Sequence, residues 1–131
     1  MPFVTARGLF KVRWLPDGRR VELLSSLAFR SKRDLYIVPP GLVTDLASVP
    51  GLLRSFAPPW TLSARPGVLH DWAYRRGASP ATSPMREISR READGLLYEA
   101  LRSEGVSRLR AFAMWAAVRV AGWRAWRRKG L

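Results

Sequence analysis

The sequence predicts an α+β fold, with a small N-terminal antiparallel sheet, an ordered proline-rich loop and three main helices. Two observations predict it. Short runs of alternating apolar residues, separated by turn residues, occupy the start of the chain. Helix-capping residues and longer apolar repeats dominate its second half. A chain of 131 residues has the length of one domain, and its 47% hydrophobic content is typical of a globular protein. We therefore expect a single domain with the sheet over 1–38, the loop over 39–64 and the helices over 65–131.

The sheet is predicted from three apolar runs. Residues 8–14 alternate between apolar and basic side chains, and the Pro-Asp-Gly turn at 16–18 indicates a hairpin. Residues 20–29 then read as the return strand and residues 35–38 as a third strand, which the following Pro-Pro-Gly ends. The pattern is typical of a three-stranded antiparallel meander.

The segment 39–60 combines five prolines with many apolar residues. Proline interrupts regular structure, but a linker would not be this apolar, so we expect a packed loop. Residues 50–56 could form a short helix with proline in its first turn. Asp45 is an acid among apolar neighbours, and it is either a turn-capping residue or a site residue.

Three helices are predicted beyond this loop. The first covers 65–76, with Gly77 as its C-cap, and the second opens at the Ser89–Glu92 capping box and runs to about Ser103. The third covers about 107–127 and has two apolar faces. One face has small side chains; the other is aromatic and interleaved with arginine, and it either lies inside the fold or binds a partner, a membrane interface or a second copy. Its candidate partner-binding residues are Trp115, Arg119, Trp123 and Trp126.

The chemistry centres on His70, the only histidine of the chain. Tyr74 lies four residues on and shares its helix face, whereas Asp71 points about 100° away. Asp94, on the next helix, can reach His70 if the two helices pack antiparallel. Asp71 is then free to bind a divalent cation, together with Asp45. Oxygen ligands suit calcium or magnesium, and zinc or manganese becomes possible if His70 is itself a ligand.

The run His70-Asp71-x-x-Tyr74, with an aspartate on the next helix, resembles the secreted calcium-dependent phospholipases and their viral relatives. The resemblance implies that His70 is general base to a water, that Asp71 binds calcium and that Asp94 orients His70, steadied by Tyr74. The sequence departs from that family in lacking its glycine-rich calcium loop and its cysteines.

A second resemblance covers most of the chain. The motifs at 38–50, 68–74 and 89–94, followed by the basic tryptophan-rich tail, are similar to a phage-associated family, the domain of unknown function numbered 1353. This implies a phage or prophage protein and no known reaction. It also implies that one recurring polar pattern includes Thr44, Asp45, His70, Asp71 and Asp94.

Charge and composition restrict the remaining possibilities. The net charge is +13, and residues 105–131 hold seven basic residues and no acidic one. Such a surface attracts nucleic acid, anionic membrane or an acidic partner, unless it reflects only a preference for arginine in composition. The absence of cysteine excludes disulfides and thiolate sites. With no signal-peptide pattern or membrane-spanning run, we expect the bacterial host cytoplasm or the phage particle.

Three hypotheses follow from these observations. The first is a small phage hydrolase that uses His70, with or without a metal, on phosphodiesters, lipids or cell-wall bonds. The second is a virion or assembly protein that binds other phage proteins, in which the polar cluster only supports the fold. The third is a nucleic-acid binder, although no known DNA-binding motif spacing is present.

Overall fold

The structure is a computed structural model, and it describes residues 3–5, 7–18, 20–32, 34–44, 60–75, 78–123 and 126. In this part of the chain, short antiparallel strands are followed by three helices, which confirms the predicted α+β class. The strands are β1 (Val12–Trp14), β2 (Val21–Leu23), β3 (Leu27–Arg30), β4 (Leu35–Val38) and β5 (Val43–Thr44), and the helices are α1 (Trp60–Ala73), α2 (Arg90–Ser103) and α3 (Arg108–Ala121).

The strands form two small sheets rather than the single meander predicted. One sheet has the order β1-β2-β5 and the other pairs β3 with β4. The predicted turn closes the β1–β2 hairpin, with Gly18 at a φ of 71°. The predicted return strand is divided, because Leu24 bonds back to Lys11 and Ser25 to Leu9 before the chain enters β3. The first strand is also shorter than predicted, since residues 7–9 form a 3-10 turn.

Helix α1 begins five residues earlier than predicted and ends three residues earlier. Pro66 lies inside the helix, where its missing N–H removes one backbone hydrogen bond. Burial of Ala64, Val68 and Leu69 against the core offsets the lost hydrogen bond. The predicted C-cap Gly77, the predicted short helix at 50–56 and Asp45 lie outside the described residues.

Helix α2 confirms its predicted bounds. The Ser89 side chain accepts a hydrogen bond from the Glu92 N–H at 3.1 Å, as an N-cap does. The reciprocal half of the capping box is absent among the described contacts, because the Glu92 carboxylate binds Tyr36 and Arg86 instead. Arg86 also binds Asp34 at 2.6 Å, so the loop before α2 is fastened to the start of β4.

The three helices pack antiparallel, with α2 between the other two. Arg65 near the start of α1 meets Glu104 after the end of α2, whereas His70 near the end of α1 meets Asp94 nearer the start of α2. The main core lies between the strands, α1 and α2, and a second apolar cluster joins α2 to α3. This arrangement brings the C-terminal half of α1, the start of α2 and the end of α3 to one place.

Candidate active site around His70

His70 lies on the last turn of α1 and keeps 1% of its surface exposed. Tyr74 follows one turn later on the same face, and the two rings lie 4.4 Å apart between centroids. Leu69 and Trp72, on the neighbouring faces, are buried in the core. The predicted i, i+4 arrangement of His70 and Tyr74 is therefore present at the edge of the main core.

Asp94 joins these two side chains to the second helix. Its Oδ1 atom lies 2.9 Å from His70 Nε2 and accepts a 2.6 Å hydrogen bond from the Tyr74 hydroxyl. Asp94 itself is fully buried. The sequence predicted that His70, Tyr74 and Asp94 meet if the first two main helices pack antiparallel. These helices do pack antiparallel, and the three side chains are in contact.

The negative charge of Asp94 is paired with an arginine of the third helix. Arg119 NH1 donates to Asp94 Oδ2 at 2.9 Å, while Arg90 Nε lies 3.9 Å from the same oxygen. Arg90 also donates to the carbonyl of Val118 at 2.8 Å. The carboxylate is thus held by all three helices, and a buried charge that is paired and hydrogen-bonded in this way is tolerated.

The contacts shift the pKa values of Asp94 and Tyr74 in opposite directions. Burial by itself would raise the pKa of Asp94, but hydrogen bonds from His70, Tyr74 and Arg119 outweigh it and hold that pKa below its ordinary value. Burial, with the hydrogen bond to Asp94, raises the pKa of Tyr74. At neutral pH Asp94 is therefore an anion that only accepts, so the Nε2 atom of His70 is the donor, and in the neutral tautomer of the ring the proton lies on Nε2.

The other ring nitrogen of His70, Nδ1, is the atom with basic character in this tautomer. Among the residues that the structure describes, Nδ1 makes no hydrogen bond. A neutral imidazole with one nitrogen fixed by a carboxylate and the other unbonded can accept a proton from a water molecule. This is the chemistry that the geometry permits.

Arg119 and Trp126 were predicted as partner-binding residues, and the structure gives both of them internal contacts. Arg119 binds Asp94, and the Trp126 ring packs edge-on against Tyr74 at 5.3 Å between centroids. The reason is that the end of α3 crosses the His70 site instead of projecting away from it. Trp115 is half-buried and Trp123 is exposed, so partner binding through these two stays a prediction.

Gly122, the C-cap of α3, lies against Tyr74 of the site. A Cβ atom at this position would lie 2.6 Å from the Tyr74 hydroxyl, closer than van der Waals contact allows. The absence of a side chain therefore lets the end of α3 lie against Tyr74. Sequence reasoning missed this residue, because a glycine near the end of a predicted helix gives no sign of what packs on it.

Asp71 has a different environment from the one predicted for a metal ligand. Arg75 NH2 donates to Asp71 Oδ2 at 3.0 Å and also to the carbonyl of Val43, the residue before Thr44 in β5. Within the described part of the chain, no group of three His, Asp or Glu side chains could hold a metal ion. Because Arg75 already pairs with Asp71, a divalent ion at this carboxylate would have to displace the guanidinium.

A second buried ion pair was not predicted. Arg65 on α1 binds Glu104 with both ends of its guanidinium fork, the Nε–Oε2 distance being 3.0 Å, and donates to the carbonyl of Thr5 at 2.7 Å. Its guanidinium also lies 4.3 Å above the Phe3 ring. Neither residue stands out in the sequence, since arginine and glutamate are usually exposed.

The fold and site together define a class: a small α+β domain whose antiparallel helices present a buried histidine to an aspartate and a tyrosine. The sequence matches the family described as "Protein of unknown function (DUF1353)" over residues 21–118. The match covers well over half of the chain, and the protein belongs to this family. No curated protein and no solved structure matches the chain. The matched range includes His70, Tyr74, Asp94 and β5.

Proposed function

We propose that this protein is a small hydrolase in which His70 acts as general base. The single observation that supports this most strongly is the 2.9 Å contact between His70 Nε2 and a fully buried, anionic Asp94. A histidine fixed in this tautomer accepts a proton from water at Nδ1, and the resulting hydroxide attacks the substrate. The protonated ring then returns the proton to the leaving group. Asp94 stabilises the transient imidazolium.

Asp94, Tyr74 and Arg119 act as positioning residues in this proposal. Tyr74 and Arg119 occupy the two carboxylate oxygens of Asp94, so the carboxylate cannot turn away from the imidazole. This is the division of roles that the resemblance to calcium-dependent phospholipases implies for His70, Asp94 and Tyr74. Ester bonds of phospholipids and phosphodiesters are therefore the first substrates to test, with cell-wall polymers as a third class.

The experiment compares wild type with His70→Asn on phospholipid vesicles, an activated phosphodiester and purified cell wall. Because a general base contributes about 10²–10⁴-fold, we expect hydrolysis of one class to fall by at least about 100-fold in the variant. His70→Asn, purified identically, also controls for contaminating hydrolases. Equal activity of both proteins, or no hydrolysis of any of the three classes by wild type, would contradict the proposal.

A divalent cation is a separate proposal. An ion at Asp71 would have to displace Arg75, so its binding should depend strongly on that carboxylate. We expect calcium, magnesium or zinc to raise the melting temperature of wild type and not of Asp71→Asn. If no ion changes the melting temperature of wild type, the metal proposal fails while the role of His70 is unaffected.

A second candidate function is a non-enzymatic phage virion or assembly protein. The observation that favours it is the nearly complete burial of His70, because a polar network that holds three helices together would also be buried. Under this proposal His70→Asn lowers the free energy of unfolding and impairs particle assembly, and no substrate is cleaved. A variant with unchanged melting temperature and lost hydrolysis excludes this alternative.

A further inference from the structure

The outward side of α3 carries a row of exposed apolar side chains. Leu109 is 80% exposed, Phe112 56%, Val120 76% and Trp123, two residues beyond the helix end, 42%. Successive members of this row are three, eight and three residues apart, and Ala116 lies midway along the longest interval. At helical periodicity these spacings place all four on one helix face. At 1.5 Å per residue this face is about 21 Å long. We call these four residues the outer stripe.

The outer stripe is separate from the packing face of the same helix. The inner side of α3 packs against α2 through three buried residues, Ala111, Met114 and Val118. The helix therefore has a second apolar face, opposite the one that packs on α2. Exposed apolar residues are normal when scattered singly, whereas a contiguous row along one helix marks an interaction surface.

Positive charge flanks the first end of this row. Arg108 and Arg110 flank Leu109 in sequence, so they project on either side of the outer stripe, and both are exposed. Residues 105–131 carry seven basic residues and no acidic one. Arg119 is engaged with Asp94 and is not part of this surface charge.

We propose that the outer stripe binds an anionic phospholipid surface, with α3 lying parallel to the membrane plane. Helices that lie in the interface have apolar and aromatic residues on one side, basic residues beside them and few acids. The apolar row enters the acyl boundary while the arginines contact lipid phosphates. A nucleic acid would use the arginines alone and would leave Leu109 and Val120 without a role. This inference is independent of the reaction proposed for His70.

Vesicle co-sedimentation tests the proposal. The full chain is mixed with vesicles of phosphatidylcholine alone, or of phosphatidylcholine with phosphatidylglycerol. We expect binding to the anionic vesicles that weakens as salt is raised. Leu109→Gln with Val120→Gln should reduce the partition coefficient by about tenfold or more. The matched control is Met85→Gln, because Met85 is 96% exposed but lies outside α3, and it should bind like wild type.

Additional measurements separate the alternatives. His70→Asn should bind vesicles normally, so loss of hydrolysis and loss of membrane binding are distinguishable. Circular dichroism checks that the Gln variants fold. We expect that they do, because the substituted positions are exposed. Three results would overturn the proposal: no binding to anionic vesicles, equal binding by the Leu109/Val120 double variant, or a dimer in solution that this double variant abolishes.

Discussion

At the scale of single residues, Asp94 determines the state of the site. Its low pKa means that the carboxylate is ionised in the folded protein throughout the neutral range. An aspartate whose pKa is lower in the folded state adds stability that is fully present above its unfolded value, near 3.9, and is lost as pH falls through the folded value. The stabilising effect of Asp94 should therefore disappear in acid.

We expect Asp94→Asn to lower the free energy of unfolding at pH 7 by about 2–4 kcal/mol, because it leaves Arg119 without its anion and removes a charged acceptor from His70. Urea titrations of both proteins at several pH values measure this. The difference between them should shrink as the pH falls below about 4. A difference that stayed constant from pH 7 to pH 3 would show that the charge of Asp94 contributes nothing.

The second prediction at this scale compares two glycines, one packed against the site and one in open space. Gly122→Ala should destabilise the protein by about 1–3 kcal/mol, because the added methyl meets both the Val118 carbonyl oxygen and the Tyr74 hydroxyl. Gly95→Ala, on α2, has no atom within 4 Å of the new methyl. It should stabilise the protein by about 0.5–1 kcal/mol through helix propensity. Thermal melts of the pair suffice, and equal shifts would mean that α3 does not lie against Tyr74.

Residue-level reasoning predicted the contacts among His70, Tyr74 and Asp94 but not the two arginines that pair with Asp94. The sequence shows a single histidine, His70, one turn before Tyr74. An antiparallel neighbouring helix then has to provide only one carboxylate, that of Asp94, to complete the contact. Arg119 was instead predicted to stack between tryptophans, because projecting a single helix cannot say which neighbour covers which face. Arg90 stands four residues before Asp94 on the same helix, and that spacing could have identified it.

At the scale of elements, the Arg65–Glu104 pair ties the start of α1 to the end of α2. Both side chains are buried, so removing one partner leaves a charge without compensation. We expect Glu104→Gln to cost about 3–5 kcal/mol, and the double change Arg65→Met with Glu104→Leu to recover much of that loss. Urea unfolding of wild type and the two variants measures this loss and its recovery. A single variant as stable as wild type would contradict the burial of the pair.

Element bounds were predictable where capping residues mark them. Ser89 and Ser107 mark the starts of α2 and α3, whereas α1 begins at Trp60, five residues before its predicted start. The division of the strands into two sheets was not predictable from alternation. Alternation gives the face of each side chain, and the choice of neighbouring strand depends on contacts distant in sequence.

At the scale of the whole molecule, α3 links two surfaces. Its inner side reaches the His70 site through Arg119 and Trp126, and its outer stripe is exposed. No helix in the described part of the chain is both long and apolar enough to cross a membrane. The composition predicted a basic C-terminal helix with two apolar faces, but only the three-dimensional packing shows which of its residues remain outside.

The most direct test of the central claim is the tautomer of His70, measured by long-range ¹H–¹⁵N correlation NMR of the imidazole. Because His70 is the only histidine, the ring signals need no assignment. We predict that the neutral ring carries its proton on Nε2, hydrogen-bonded to Asp94, with Nδ1 unprotonated, and that Asp94→Asn abolishes this preference. A neutral ring protonated on Nδ1, or one that exchanges rapidly between both forms in wild type, would contradict the account.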